Sequence, residues 1–185
     1  MPRTSVPEAP RSPATLHLLC GKIAAGKSTL AARLASTGHT VRIREDDWLS
    51  ALYPDEIRAL DDYVRCTTRL RAVMGPHVVA LLTAGVSVVL DFPSNTVSSR
   101  QWARTLFEAA GAPHRLHLLD IPDEECKRRL RARNASGAHP FQTSDAEFDR
   151  ITRHFAPPTE DEGFHVVRHT GDAANATDAG KDGLA

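Results

Sequence analysis

The feature that most constrains this chain is a glycine-rich segment at residues 21–28, which reads Gly-Lys-Ile-Ala-Ala-Gly-Lys-Ser. It fits the pattern Gly-x-x-x-x-Gly-Lys-Ser, whose backbone N–H groups and lysine surround nucleotide phosphates. Residues 15–20 form a mainly apolar run of strand length, and residues 29–35 are mainly good helix formers. Strand, glycine loop and helix therefore follow in the order that a phosphate-binding loop (P-loop) requires.

The chemistry of this loop assigns roles to individual residues. Gly21 and Gly26 permit the turn and the close approach of the backbone to phosphate. Lys27 is expected to reach the β- and γ-phosphates, and the Ser28 hydroxyl to complete a Mg²⁺ shell. The predicted nucleotide-binding residues of the loop are Gly21, Ala24, Ala25, Gly26, Lys27, Ser28 and Thr29. The pattern indicates ATP or GTP, and the alternative is a glycine turn that matches by chance.

The composition limits the classes of protein to which this chain can belong. Of 185 residues, 41% are hydrophobic and 25% are charged, with Lys+Arg and Asp+Glu at 23 each. One domain with a substantial core is therefore expected, and nothing global favours a nucleic-acid or membrane partner. Three widely spaced cysteines without a Cys-x-x-Cys pattern predict free thiols in a reducing, cytoplasmic compartment. Residues 1–13 are predicted to be a disordered lead without a secretory signal, 14–170 the domain, and 171–185 a disordered tail.

The order of the elements predicts an α/β fold, because apolar strand-like runs alternate with helical stretches. The Gly75-Pro76 dipeptide is expected to end one helix and open another, since proline is tolerated in a first helical turn. The predicted strands are 15–20, 40–43, 86–90, 115–119 and 164–167. Beyond the helix after the glycine loop, the predicted helices are 55–73, 76 to about 85, 98–110, 123–134 and 145–154.

Two aspartates follow the second strand, where residues 44–48 read Arg-Glu-Asp-Asp-Trp. The carboxyl ends of parallel strands line the ligand crevice, so a carboxylate there can accept a proton from a substrate hydroxyl. The alternative is a cap on the following helix, and we favour Asp46 as the base and Asp47 as the cap. Both are candidate substrate-site residues. Trp48 is expected either to stack on a substrate ring or to pack.

Asp91 closes the apolar run of the third strand. An aspartate in that position beside a P-loop holds Mg²⁺ directly or through water, and the alternatives are a substrate contact or the start of a turn. Asn95 and Arg100 lie in the loop and helix that follow. Each is expected either to contact substrate or phosphate or to be solvated surface.

Residues 126–133 form a strongly basic stretch, Cys-Lys-Arg-Arg-Leu-Arg-Ala-Arg. Arg129 and Arg133 are four apart and share a helix face, whereas Arg131 lies on the other side. Guanidinium groups bind phosphate oxygens in bidentate fashion, so this pair suits an ATP phosphate chain, with Arg133 as the stronger candidate. The alternatives are a solvated basic face, a nuclear signal or a nucleic-acid patch.

The helix after the candidate base carries further candidates. Arg65 and Arg69 share one face, as do Tyr63 and Thr67. They are expected either to line an acceptor pocket, with Arg69 as the substrate residue, or to form surface ion pairs with neighbouring aspartates. His165 and His169 are four apart but lie in a predicted strand, so no metal site beyond nucleotide-bound Mg²⁺ is expected.

Taken together, residues 21–29, 46–49, 88–91 and 129–134 resemble the small P-loop kinases of the AAA_33 type. That group is similar to the kinase domain of bacteriophage polynucleotide kinase, to chloramphenicol phosphotransferase and to zeta toxin. Residues 155–164 also look like uncharacterised bacterial members. The resemblance, over roughly 16–167, implies a three-layer fold with a five-stranded parallel sheet in the order 2-3-1-4-5.

The resemblance also implies a helical lid at about 134–158 and γ-phosphoryl transfer from ATP to a hydroxyl. By the same resemblance, Lys27 and Ser28 match the nucleotide and Mg²⁺ positions, Asp46 the catalytic aspartate, and Arg129 and Arg133 the paired lid arginines.

One departure from the polynucleotide kinase pattern is informative. That pattern places an arginine shortly after the double aspartate, where this chain has Trp48, Leu49 and Ser50. This difference favours a small, partly apolar acceptor over a nucleic acid. We therefore expect an ATP- and Mg²⁺-dependent kinase, monomeric or homodimeric, that acts on such an acceptor. Asp46 is expected to be the base, with Lys27 and Arg133 assisting catalysis. The alternatives are a 5′-hydroxyl nucleic-acid kinase and a nucleotide-binding regulatory ATPase. No base-reading motif separates ATP from GTP.

Overall fold

A computed structural model of the chain describes residues 13–136 and 143–171. The predicted lead and tail therefore lie outside the described residues, apart from one residue of each. Residues 137–142 of the predicted lid lie outside them as well.

The sheet of the described chain has five strands, all parallel, in the order β2-β3-β1-β4-β5. The strands are β1 (Leu16–Gly21), β2 (Thr40–Arg44), β3 (Ser87–Pro93), β4 (His114–Asp120) and β5 (Val166–Thr170). The apolar run of β1 lies at the centre because a strand covered on both faces must be apolar along its whole length. The predicted fold class and strand order are confirmed.

Six helices and one short 3₁₀ turn cover the two faces of the sheet in the described chain. They are α1 (Lys27–Ala35), α2 (Glu45–Leu52), α3 (Leu60–Thr83), α4 (Val97–Ala110), α5 (Asp123–Ser136), α6 (Asp145–Thr152) and the turn Glu160–Glu162. One core joins one sheet face to α2, α3 and α4. A second joins the other face to α1, α5 and Phe148 of α6. The three cysteines are buried free thiols.

The predicted break at Gly75-Pro76 is wrong, because α3 runs unbroken from Leu60 to Thr83 with Pro76 inside it. Tertiary packing outweighs the hydrogen bond that proline removes, since α3 buries a long apolar stripe against α4 and the sheet. Gly75 faces α4, because a Cβ at this position would lie 3.4 Å from Leu106, an ordinary packing distance.

Two further element boundaries differ from the prediction. Helix α3 begins at Leu60, because the Asp62 carboxylate accepts the N–H groups of Arg58 and Ala59 and so ends the preceding turn. Strand β5 runs over Val166–Thr170, later than predicted, because the Phe164 ring packs against the first core instead.

Three histidines lie side by side on the sheet face that α1 covers. Nδ1 of His17 is 3.0 Å from Nε2 of His117, whose Nδ1 is 3.0 Å from Nε2 of His169. Burial lowers the pKa of His17 to about 4 and that of His117 to about 3, with the charges of Arg115 and, for His117, Arg33 adding to the effect. The rings of His17 and His117 are therefore neutral at pH 7.

No helix in the described part of the chain is long and apolar enough to cross a membrane.

Candidate functional site

The glycine loop has the geometry of an anion-binding turn. Gly26 has φ +102° and caps α1, whose first N–H groups therefore face the space that phosphates take. A side chain at Gly21 would lie 3.1 Å from Leu119 of β4, so the loop packs directly on the neighbouring strand. Lys27 Nζ donates to the carbonyl oxygens of Gly21 (2.7 Å) and Lys22 (2.8 Å), and burial lowers its pKa.

Residues that follow β3 hold the glycine loop in place. Asn95 Oδ1 accepts the Gly21 N–H at 2.9 Å. Arg100 is fully buried and donates to the carbonyl oxygens of Ser94 (3.1 Å) and Ala156 (2.7 Å). The solvated-surface alternative for Arg100 is therefore wrong, because its guanidinium is fully paired inside the protein.

The partner of Arg100 is a carboxylate that sequence reasoning missed. Nε and Nη2 of Arg100 donate to Oε2 and Oε1 of Glu162 at 2.6 and 2.7 Å, in a bidentate pair. The Ala156 N–H donates in turn to the Asn95 carbonyl oxygen at 2.9 Å. The segment after α6 is thus tied to the residues that hold the glycine loop.

Asp91 lies beside the serine of the loop. Ser28 Oγ donates to Asp91 Oδ1 at 3.3 Å, and Asp91 Oδ2 accepts Arg42 Nη2 at 2.5 Å. Sequence reasoning missed Arg42. Hydroxyl and carboxylate oxygens are the ligands Mg²⁺ prefers, alongside waters and phosphate oxygens, so Ser28 and Asp91 fit the predicted role. Among the described residues, no group of three or more His, Cys, Asp or Glu could hold a metal by itself.

The two candidate base residues lie in the first turn of α2, where the helix dipole favours acidic side chains. The predicted cap role of Asp47 is wrong, because Arg44 is the N-cap residue and Asp47 instead pairs with Arg44 at 2.9 Å. Asp46 is exposed and lines a cavity of about 190 Å³. The other lining residues are Leu49, Ile57 and Tyr63.

The remaining candidates of this region lie apart from the cavity lining. Trp48 is 41% exposed, and Arg69 is exposed on α3. Arg65 pairs with Asp62 at 2.9 Å, which confirms the surface ion pair that was its alternative. Tyr63, by contrast, does line the cavity.

A buried carboxylate supports the cavity wall. Glu45 is 1% exposed, and its Oε2 accepts the Tyr63 hydroxyl at 2.6 Å while Oε1 is 3.5 Å from Arg71 Nη2. Burial raises the pKa of Glu45, and the Tyr63 hydrogen bond and the Arg71 charge oppose that rise. Burial and the adjacent Glu45 raise the pKa of Tyr63, so the phenol keeps its proton. Sequence reasoning missed Glu45, whose only signal was its place beside Asp46.

The two α5 arginines point to different parts of the site. Arg129 Nη1 donates to the Ala25 carbonyl oxygen of the loop at 3.4 Å. Arg133 has a buried Nε without a hydrogen-bond partner among the described residues; burial lowers the pKa of Arg133, and the charge of Asp46 opposes that fall. Arg131 pairs with Asp145 on the other side, as the helical spacing predicts. One helix therefore reaches both the glycine loop and Asp46.

The chain matches one family model, described as an AAA domain (AAA_33), over residues 16–158. No curated protein sequence matches it.

Solved structures show the same fold at low sequence identity. The adenylyl-sulfate (APS) kinase of Mycobacterium tuberculosis, solved with AMPPNP and APS, has TM-score 0.57 and 22% identity over 88% of this chain and 91% of that chain. A gluconokinase from Sinorhizobium meliloti 1021 has TM-score 0.55 and 14% identity over 87% and 84%. A chain of the Pnkp1/Rnl/Hen1 RNA repair complex has TM-score 0.60 and 23% identity over 81% of this chain and 46% of that chain. This chain thus spans about half of that last relative.

Proposed function

Because this chain belongs to the AAA_33 family of AAA domains, we propose that it is a kinase that transfers the γ-phosphoryl group of ATP to a hydroxyl group of a small molecule. The domain at 14–170 carries the activity in this proposal, with residues of the 134–158 region closing over the reacting groups.

The observation that carries the proposal is the position of Asp46. Its charge acts on both Lys27 of the glycine loop and Arg133 of α5, and its side chain lines the cavity. An exposed carboxylate that lines a cavity, and whose charge acts on the lysine of the glycine loop, suits a general base for an acceptor hydroxyl. A nucleotide switch needs no such group.

The side chains of the site divide the work. Lys27 uses two N–H groups on loop carbonyls, so the third is available to a β- or γ-phosphate oxygen. Ser28 and Asp91 hold Mg²⁺, which when bound offsets phosphate charge. Asp46 orients the acceptor hydroxyl and takes its proton. Arg129 and Arg133 add positive charge beside the transferring group, and closure excludes the water that would hydrolyse ATP.

The test is ADP release from ATP and Mg²⁺, with and without a panel of hydroxyl compounds that includes 5′-hydroxyl oligonucleotides. We expect stimulation by a small alcohol and its loss, by at least about a hundredfold, in Asp46→Asn. Asp47→Asn is the matched control, since it removes the neighbouring charge, and a much smaller loss is expected.

Two results would contradict the proposal. Acceptor-independent ADP release that survives Asp46→Asn would indicate a regulatory ATPase. Stimulation by oligonucleotides alone, falling steeply with salt, would indicate a nucleic-acid kinase.

A further inference from the structure

We propose that the cavity between α2 and α3 accepts an alcohol with a compact apolar body and no anionic group near the reacting hydroxyl. This inference rests on the proposed function, because it names the class of acceptor that the kinase uses.

The lining of the cavity favours an apolar body. Leu49 and Ile57 present hydrocarbon, and Tyr63 adds an aromatic ring. An apolar cavity of about 150 Å³ is enough to hold a benzene molecule, so about 190 Å³ suits a single ring or a short branched chain. Asp46 is the one ionisable carboxylate among the lining residues, and it supplies the contact to the hydroxyl.

The charges around the cavity disfavour an anion. Among the described residues, none that lines the cavity is a cation, and Glu45 and Asp47 flank Asp46 in the chain. A carboxylate or phosphate group in the cavity would therefore lie beside a negatively charged turn, with no arginine or lysine among the described lining residues to bind it.

Two arginines near the cavity, Arg71 and Arg44, already have other partners. Arg71 is 3.5 Å from Glu45 and lies over the Trp102 ring, with 5.2 Å from its guanidinium carbon to the ring centroid. Arg44 pairs with Asp47. Binding an anionic acceptor through Arg71 or Arg44 would require one of these contacts to break.

Tyr63 adds a second argument. It donates its only O–H to Glu45, so its oxygen can only accept a further hydrogen bond. An ionised carboxylate or phosphate is itself only an acceptor and gains nothing from that oxygen. A neutral polar group of the acceptor, other than the hydroxyl that donates to Asp46, can donate to it.

The experiment compares two ligands that share a ring and a hydroxymethyl group, benzyl alcohol and 4-(hydroxymethyl)benzoate. Binding to the full chain without nucleotide is measured by the shift in unfolding temperature and by tryptophan fluorescence, and ADP release is measured separately. We expect benzyl alcohol to bind at least tenfold more tightly than the carboxylate.

A charge change inside the cavity tests the cause. Ile57→Lys places an ammonium group in the lining. It is expected to lower the preference for benzyl alcohol over the carboxylate at least tenfold, or to reverse it. Val64→Lys is the matched control, because Val64 is 54% exposed on α3 and is not part of the lining, so the preference should stay. If Ile57→Lys does not fold, Asp46→Asn serves instead and should also weaken the preference.

The outcomes separate the two proposals. Equal or tighter binding of the carboxylate, no binding of benzyl alcohol, or a preference unchanged in folded Ile57→Lys or Asp46→Asn would overturn the inference. Selective binding of the neutral alcohol without ADP release from any alcohol would leave the inference standing and contradict the kinase proposal. ADP release with anionic alcohols alone would contradict the inference and leave the kinase proposal standing.

Discussion

In the proposed function the site has two walls, which are built in different ways. The donor wall consists of residues 21–28 with the end of β3 and the arginines of α5, and the acceptor wall consists of α2, residues 53–59 and the start of α3. Backbone atoms form most of the donor wall, and the Asn95 side chain binds it to the sheet. The acceptor wall is made of side chains, and the buried Glu45 joins its two helices through Tyr63 and Arg71.

The difference reflects what each wall has to bind. Phosphate is the same in every nucleotide, so backbone N–H groups in a rigid turn suffice to bind it. The acceptor is recognised by shape and charge, which depend on the side chains that two packed helices bring together. The donor wall should therefore respond to changes at single motif positions, and the acceptor wall to changes in helix contacts.

The largest effect is expected in the donor wall at Lys27. Lys27→Met removes the charge that faces the phosphates and should lower kcat by about a hundredfold or more. Lys22→Met is the matched control, since the Lys22 side chain pairs with Asp123 outside the loop and its carbonyl oxygen is unchanged. Single-turnover kinetics with both variants check this, and equal losses would show that the loop does not act through Lys27.

The support beneath the donor wall should be almost as sensitive. Arg100→Met leaves Glu162 and two carbonyl oxygens without their donor inside the protein, and should cost about 3 kcal/mol or more of unfolding free energy. In variants that still fold, the KM for ATP should rise more than the KM for the acceptor. Urea unfolding is the measurement, with Arg131→Met at the exposed Asp145 pair as the control. A cost no larger than that of the control would contradict the role assigned to Arg100.

The protein should become less stable in acid because of the histidines on the sheet face that α1 covers. The pKa of His117 is about 3 in the folded protein and about 6.5 when unfolded, so the unfolded state binds the extra proton first as the pH falls. The stability that neutral His117 contributes above pH 6.5 is lost from there toward pH 3, by up to about 1.4 kcal/mol per pH unit.

His117→Gln should reduce this slope, because glutamine does not titrate. Urea unfolding between pH 6.5 and 4.5 measures it, with the exposed His77→Gln as the control. An unchanged slope in His117→Gln would show that the histidine row does not set the acid response.

The smallest effect is expected in the acceptor wall. Tyr63→Phe removes the hydroxyl that donates a hydrogen bond to Glu45, and should cost about 1–3 kcal/mol of unfolding free energy. The KM for the acceptor should rise while the KM for ATP stays the same. Tyr53→Phe is the matched control, since Tyr53 packs against the same core. A parallel rise in both KM values would mean that the two walls are not independent.

Much of the fold could be predicted from the sequence, but some of its boundaries could not. The strand order followed from the resemblance, and the α/β class followed from the alternation of elements. Pro76 marked a helix end by its local preference, yet the packing of α3 on α4 outweighed that preference. Asp47 had a capping side chain, but Arg44 in the preceding strand bound it instead.

The sequence by itself determined the glycine loop of the donor wall, because a phosphate-binding turn is made by eight consecutive residues whose backbone conformation is a local property. Only the tertiary structure decided the acceptor wall. Asp46, Ile57 and Tyr63 meet because α2 packs on α3, and no local pattern records that contact. The tertiary structure also decided the role of Arg100. Its guanidinium leaves water and pairs with Glu162, which lies 62 positions further along the chain. Burial and charge pairing across such distances depend on the whole packed chain.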